Sequence, residues 1–125
     1  MGRLETVDAG NWEPFVAAPA AVLVLAKSDC AACQAWGAEL EQQLGAEAFW
    51  PGVRFGKLTL DQGSHAGFKR ANPWLREVTD LPYTVIYLRG ERFKAFAGAG
   101  IERLDNRLRT ALPGPSASPG ASAAG

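Results

Sequence analysis

Apolar residues run unbroken from Ala21 to Ala26, and this Ala-Val-Leu-Val-Leu-Ala segment has the length and character of a strand covered on both faces. Val53 to Leu60 instead alternates. Val53, Phe55, Lys57 and Thr59 fall on one side and Arg54, Gly56, Leu58 and Leu60 on the other, which predicts a second strand ended by Asp61-Gln62-Gly63. Tyr83 to Leu88 is β-branched and aromatic, Arg89-Gly90-Glu91 reads as a turn, and Arg92 to Phe96 returns as an antiparallel partner, so this stretch is a predicted hairpin. Leu4 to Val7 is long enough for a short edge strand.

Between these runs the period changes to that of helices. Cys33, Trp36, Leu40 and Leu44 recur at three- and four-residue steps opposite Glu39, Glu41 and Gln42, with Gly45 placed to cap the carboxyl end. Ile101, Leu104, Leu108, Ala111 and Leu112 form the stripe of a final helix that Pro113 stops. A brief early helix carries Trp12, Phe15 and Val16; Pro14 fits only its first turn, so Asn11 is a better cap than Asp8. Gly63 to Asp80 is less regular, although Asn72-Pro73 predicts a cap and a short helix with Trp74, Leu75 and Val78 inward. From Pro113 to Gly125 only Pro, Gly, Ser and Ala occur, which predicts a disordered tail after a single domain over 1–112. No internal repeat is found.

At 125 residues with 47% hydrophobic positions the chain can bury a core without staples. Thirteen basic residues balance thirteen acidic ones, and no basic stripe is interleaved with aromatics, which argues against a nucleic-acid partner. Ala17 to Ala26 is too short for a membrane span and contains Pro19, and no basic leader precedes it. The expectation is no membrane association and a monomer, and the lone cysteine pair without an export signal makes the cytoplasm the expected location.

The chain's two cysteines stand as Cys30-Ala31-Ala32-Cys33, directly between the Ala21–Ala26 run and the helical stripe. Residues three apart on a helix are neighbours, at a spacing a disulfide can bridge with little backbone movement. Cys30, at or just before the first turn, meets unpaired N–H groups and the positive end of the helix dipole, which favour thiolate and mark it as the nucleophile. Cys33, one turn deeper, is the expected resolving thiol. Two other readings stand beside this one: a pair of reduced, packed cysteines, and a zinc site shared between two chains. Zinc within one chain lacks ligands, because the only other candidate is the lone His65, which has no acid or nucleophile patterned beside it.

Three motifs then carry a resemblance. Val22 to Cys33 with its CxxC, Lys57-Leu58-Thr59-Leu60-Asp61, and Leu81-Pro82-Tyr83-Thr84-Val85-Ile86-Tyr87 followed by Gly98 stand in an order that resembles the thioredoxin family over roughly Leu4 to Leu112. The resemblance implies a thioredoxin-like α/β fold, a central mixed sheet flanked by helices in one domain. It also implies that a cis bond precedes Pro82, that Pro82 faces the cysteines, and that Leu81 offers backbone groups to an extended partner segment while Gly98 lets that segment approach. Read from the dipeptide alone, Leu81-Pro82 equally well begins an edge strand.

The departures are specific. Thioredoxins proper carry a buried Asp six residues before the first cysteine, a Trp directly before it and Gly-Pro between the pair; here those positions are Val24, Asp29 and Ala31-Ala32. Lys57, which pairs with that Asp in the family, loses its partner; Cys33 loses a proton acceptor and is expected to resolve more slowly unless Lys57 or Lys27 supplies compensating positive charge. Asp29 is either a charge acting against the Cys30 thiolate or a solvated residue capping the helix. Ser64 to Thr79 is longer than in thioredoxin; a docking surface near the active site is one reading of it, but Phe68 and Trp74 read better as core, and Lys69-Arg70 as a solvated face. The expected activity is thiol-disulfide exchange with disulfide-containing or thiol partner proteins, chiefly as a reductant, through Cys30 and Cys33 with Leu81, Pro82 and Gly98 binding the partner. No cofactor or metal is expected, and electrons would come from a separate reductase or small-thiol donor. The alternative is a non-catalytic thioredoxin-like binding or redox-sensing module.

Overall fold

Ala21–Ala26 forms the middle strand of a five-stranded sheet, and every one of its residues is buried. This is a computed structural model that describes residues 3–46 and 48–112; the expected tail from Pro113 onward lies outside the described residues. Along the chain come β1 (Leu4–Thr6), α1 (Trp12–Val16), β2 (Ala21–Ala26), α2 (Ala31–Leu44), β3 (Arg54–Thr59), α3 (Ala66–Ala71), a 3-10 helix (Pro73–Glu77), β4 (Tyr83–Leu88), β5 (Glu91–Ala97) and α4 (Ile101–Ala111). The strand order is β1-β3-β2-β4-β5. The first two pairings are parallel and the last two antiparallel.

Alternation along a strand explains why β2 needs apolar residues at every position. Val22 and Val24 face one way and join Phe55, Ile86 and Phe96 beneath Trp36, Leu40 and Leu44 of α2 and Leu104 and Leu108 of α4. Ala21, Leu23 and Leu25 face the other way, joining Leu58, Val85 and Tyr87 against Phe15 and Val16 of α1 and Phe68 of α3. A sheet covered on both faces leaves little depth to spare at its centre. At Gly56 of β3 a Cβ would lie 2.5 Å from Val7 Cγ2 and 2.8 Å from Phe15 Cζ, so only glycine fits.

The hairpin closes through Arg89 and Gly90, both at positive φ (52° and 89°), the two-residue geometry that matches strand twist. The mixed pairing has one consequence for the site. It brings the carboxyl ends of β2, β3 and β5 and the amino end of β4 to the same edge of the sheet.

Several local expectations need correction. Asn11 occupies the cap position of α1, but its side chain turns backward, accepting from the Asp8 amide (2.7 Å) and donating to the Thr6 carbonyl (2.9 Å). Gly45 does cap α2 as expected, although with an ordinary right-handed φ of −66° that does not use glycine's extra freedom. Asn72 does not cap the segment after it; it donates to the Phe68 carbonyl and accepts from the Trp74 indole, and Pro73–Glu77 is a 3-10 helix whose Trp74 and Leu75 are only partly buried. The six-residue α3 was not visible in the pattern, because Phe68 alone anchors it.

Candidate active site

Helix α2 begins where β2 delivers the chain to the sheet edge, and Cys30 is its N-cap residue in an extended conformation (φ −110°, ψ 107°). Its Sγ takes the place of the usual capping oxygen and accepts from the Cys33 amide at 3.1 Å. Cys30 and Cys33 are joined as a disulfide, with Cα atoms 5.2 Å apart. The two sulfurs differ in access: Cys30 is half-buried, whereas Cys33 lies 1% exposed at the head of the stripe that continues through Trp36 and Leu40.

Opposite them stands the start of β4. The Leu81-Pro82 peptide bond is cis, and the Leu81 carbonyl oxygen lies 3.9 Å from Cys30 Sγ. Gly98, at φ 91°, follows β5 and donates its N–H to the Pro82 carbonyl at 2.8 Å. The fold thus brings together all five residues singled out from the sequence: Cys30, Cys33, Leu81, Pro82 and Gly98.

The loop before Cys30 has its own support, which the sequence reading missed. Asp61, just beyond β3, accepts from the Ser28 amide (2.9 Å) and the Ser28 hydroxyl (2.7 Å), and Gln34 of α2 donates to the Ser28 carbonyl at 3.0 Å. The Ser28 hydroxyl and then its amide hold the Asp61 carboxyl below the usual carboxylate range. In the sequence Asp61 ends a strand and closes the Lys57–Asp61 motif, and spacing alone cannot pair it with a residue 33 positions away. Asp29 is exposed, and the helix cap is Cys30 rather than Asp29.

No family model matches the chain, and no curated protein matches it. Solved structures do. The spinach chloroplast thioredoxin f (short form) matches with a TM-score of 0.70 at 20% identity, covering 88% of this chain and 94% of that one. Thioredoxin f2 of Chlamydomonas reinhardtii gives 0.70 at 18% identity over 89% and 98%. The thioredoxin of Malassezia sympodialis gives 0.70 at 15% over 88% and 91%.

The fold is that of the thioredoxins. Against the family's pattern, the position of the buried acid is filled by Val24, which lies in register with Lys57 on β3 and with Thr84 on β4. Lys57 is half-buried beneath α2, its Nζ 3.5 Å from where a Gly37 side chain would begin, so Gly37 leaves the notch that the ammonium fills. This ammonium lines a cleft of 280 Å³ with Gln34, Glu41 and Thr6 among its walls. Among the described residues Lys57 forms no ion pair.

The remaining thioredoxin-like elements are structural. Trp36 of α2 donates its indole N–H to the Thr84 hydroxyl at 3.1 Å, both side chains fully buried, which ties the cysteine helix to β4 two residues beyond Pro82. His65 is buried, with Nε2 donating to the Thr59 carbonyl at 3.0 Å, and thus shapes the turn that carries Asp61. Among the described residues no group of three His, Cys, Asp or Glu side chains is gathered to hold a metal ion, and no helix is long and apolar enough to cross a membrane.

Proposed function

We propose that the chain is a thioredoxin-like thiol-disulfide oxidoreductase that reduces disulfides in partner proteins. The observation that carries this reading is the Cys30–Cys33 disulfide at the N-terminus of α2, facing the backbone of Leu81 and Pro82. Cys30 is the accessible sulfur, and the Cys33 amide already points at it, so a Cys30 thiolate is met by a hydrogen bond and by the positive end of a 14-residue helix.

The chemistry is two exchanges. The Cys30 thiolate attacks one sulfur of the partner's disulfide, forming a mixed disulfide and expelling the other partner sulfur as a thiolate that takes up a proton. Cys33 then loses its proton and attacks Cys30 Sγ, closing the intramolecular disulfide and releasing the second partner thiolate. Two electrons and two protons pass to the partner, and the oxidised chain returns through an external dithiol or small thiol. A reducing compartment such as the cytoplasm fits this direction. Leu81 and Pro82 serve as a short strand edge for the partner's extended segment, and Gly98 keeps the approach open.

With Val24 in place of an acid, the proton of Cys33 goes to solvent, and Lys57, beneath the same helix at Gly37, can only favour the thiolate by its positive charge. The reading therefore expects resolution to be the slower exchange. The test is single-turnover reduction of a protein disulfide by pre-reduced chain. Cys30→Ser must abolish it, and Cys33→Ser must leave the partner trapped on Cys30; partner binding with no reduction by the unaltered chain would favour a non-catalytic module instead.

A further inference from the structure

The approach to Cys30 past Gly98 is bordered by a cation. Arg103, in the first turns of α4, lies with its guanidinium 4.9 Å from the centre of the Phe96 ring and donates through Nη1 to the Ala97 carbonyl at 2.6 Å. A Cβ added to Gly98 would stand 3.6 Å from that same Nη1, so the guanidinium touches the space that Gly98 leaves open. Cys30 Sγ, the Leu81 carbonyl, Pro82, Gly98 and Arg103 therefore form one row along the sheet edge.

Among the described residues this cation has no ion-pair partner. The ion pairs among the described residues are Arg54–Glu5 and Arg109–Asp105, and Arg103 belongs to neither. Among the described residues its hydrogen bond to Ala97 uses one of five guanidinium N–H groups, while stacking on Phe96 fixes the plane of the rest. An exposed, immobilised guanidinium with unused donors matches a carboxylate on an incoming chain. Next to the sulfur itself the charge has the opposite sign: Asp29 and Asp80, both exposed, directly precede Cys30 and Leu81 in the chain. Negative charge is thus disfavoured at the attacked sulfur and favoured towards Gly98.

We propose that Arg103 is a specificity-determining residue that selects partner segments bearing an aspartate or glutamate a few residues to one side of the attacked cysteine. The proposal rests on the oxidoreductase reading above and deepens it by naming a substrate class. An extended segment rises about 3.3 Å per residue, so a carboxylate two or three residues from the cysteine sits roughly 7 to 10 Å along the row. A carboxylate beside the cysteine itself meets the acidic side.

The test uses pre-reduced chain and a set of extended cystine peptides that differ only in Glu or Gln at each of three positions on either side of the cysteine. The readout is the Glu/Gln ratio of second-order rate constants within each protein, so a general loss of rate in a variant cancels. At one position on one side the ratio should be about three to five at low salt, as for an exposed ion pair, and should approach one at about 0.5 M salt. Arg103→Gln and Arg103→Met, the latter keeping the stem over Phe96, should bring it to about one, while Arg103→Lys should hold it above one. A ratio near one at every position in the unaltered chain, or an unchanged ratio in Arg103→Gln and Arg103→Met, overturns the proposal. Reduction of the Gln peptides keeps the oxidoreductase reading intact in either case; reduction of no peptide overturns that reading, and this proposal with it.

Discussion

Replacing Thr84 by Val should loosen the fold at the point where the cysteine helix meets the Pro82 strand. Valine is nearly isosteric with threonine, so packing is kept, but the Trp36 indole N–H, which donates to Thr84 Oγ1 at 3.1 Å, is left with no acceptor at a site without solvent. An orphaned buried donor costs about 1 to 3 kcal/mol, and the extra apolar surface of the valine methyl returns a fraction of that. The net expectation is a loss of about 1 to 2 kcal/mol. For a domain of this size each kcal/mol is worth roughly 4 °C, which gives a fall in Tm of about 4 to 8 °C. Urea unfolding should show a lower midpoint with an unchanged slope. The pairwise origin is checked with Trp36→Phe, which removes the donor: in that background Thr84→Val should cost little, giving a coupling of about 1 kcal/mol. Equal stability of Thr84→Val and the unaltered chain, or the same loss in both backgrounds, would refute the reasoning.

Three further outcomes follow from the packing and the charges. Gly56→Ala forces a methyl to within 2.5 Å of Val7 Cγ2, and the overpacking should cost about 1 to 3 kcal/mol in urea unfolding; an unchanged midpoint would contradict the close fit of β3 under α1. Tyr87 is buried with a hydroxyl that has no partner among the described residues, and burial pushes its pKa from 10.0 up to about 12 against a smaller opposing pull from Arg92. The unfolded chain loses this proton first, so the stability tied to it is intact below pH 10 and declines as pH rises towards 12 by up to roughly 2 to 3 kcal/mol. Tyr87→Phe should be at least as stable at neutral pH and should resist alkaline unfolding better, and a neutral-pH loss would contradict it. The Asp61 carboxyl, held low by Ser28, contributes above the ordinary value of 3.8 and loses its grip as pH falls below it; the Ser28 amide shift followed by NMR should titrate with a depressed midpoint, not at or above that value.

Much of the fold was legible because its signals are local. The unbroken Ala21–Ala26 run, the Cys33-Trp36-Leu40-Leu44 stripe and the Arg89-Gly90 turn each report a period or a backbone geometry within one segment. The candidate site was legible for a different reason: a CxxC after a strand and a Leu-Pro before another are bound to meet once the topology is fixed. What the pattern could not supply were contacts between distant residues. The Asp61–Ser28 clamp, the Lys57 ammonium in the Gly37 notch and the Arg103 guanidinium beside Gly98 depend on tertiary placement, not on period. Asn11 stands at the cap position of α1 without a side-chain capping bond for a related reason, since its side chain finds nearer partners in Asp8 and Thr6. Helix α3 escaped notice because six residues with one buried side chain carry no period.

The most direct test of the account is a redox titration of Cys30 and Cys33 in defined dithiol buffers, read by thiol trapping and mass. The account predicts one reversible two-electron couple in which both thiols are protected together, at a potential in the range of dithiol reductants and exchange enzymes, roughly −270 to −200 mV. A couple near about −120 mV would contradict the reductant direction, and the absence of an intramolecular disulfide at every potential would contradict the thiol-disulfide mechanism itself.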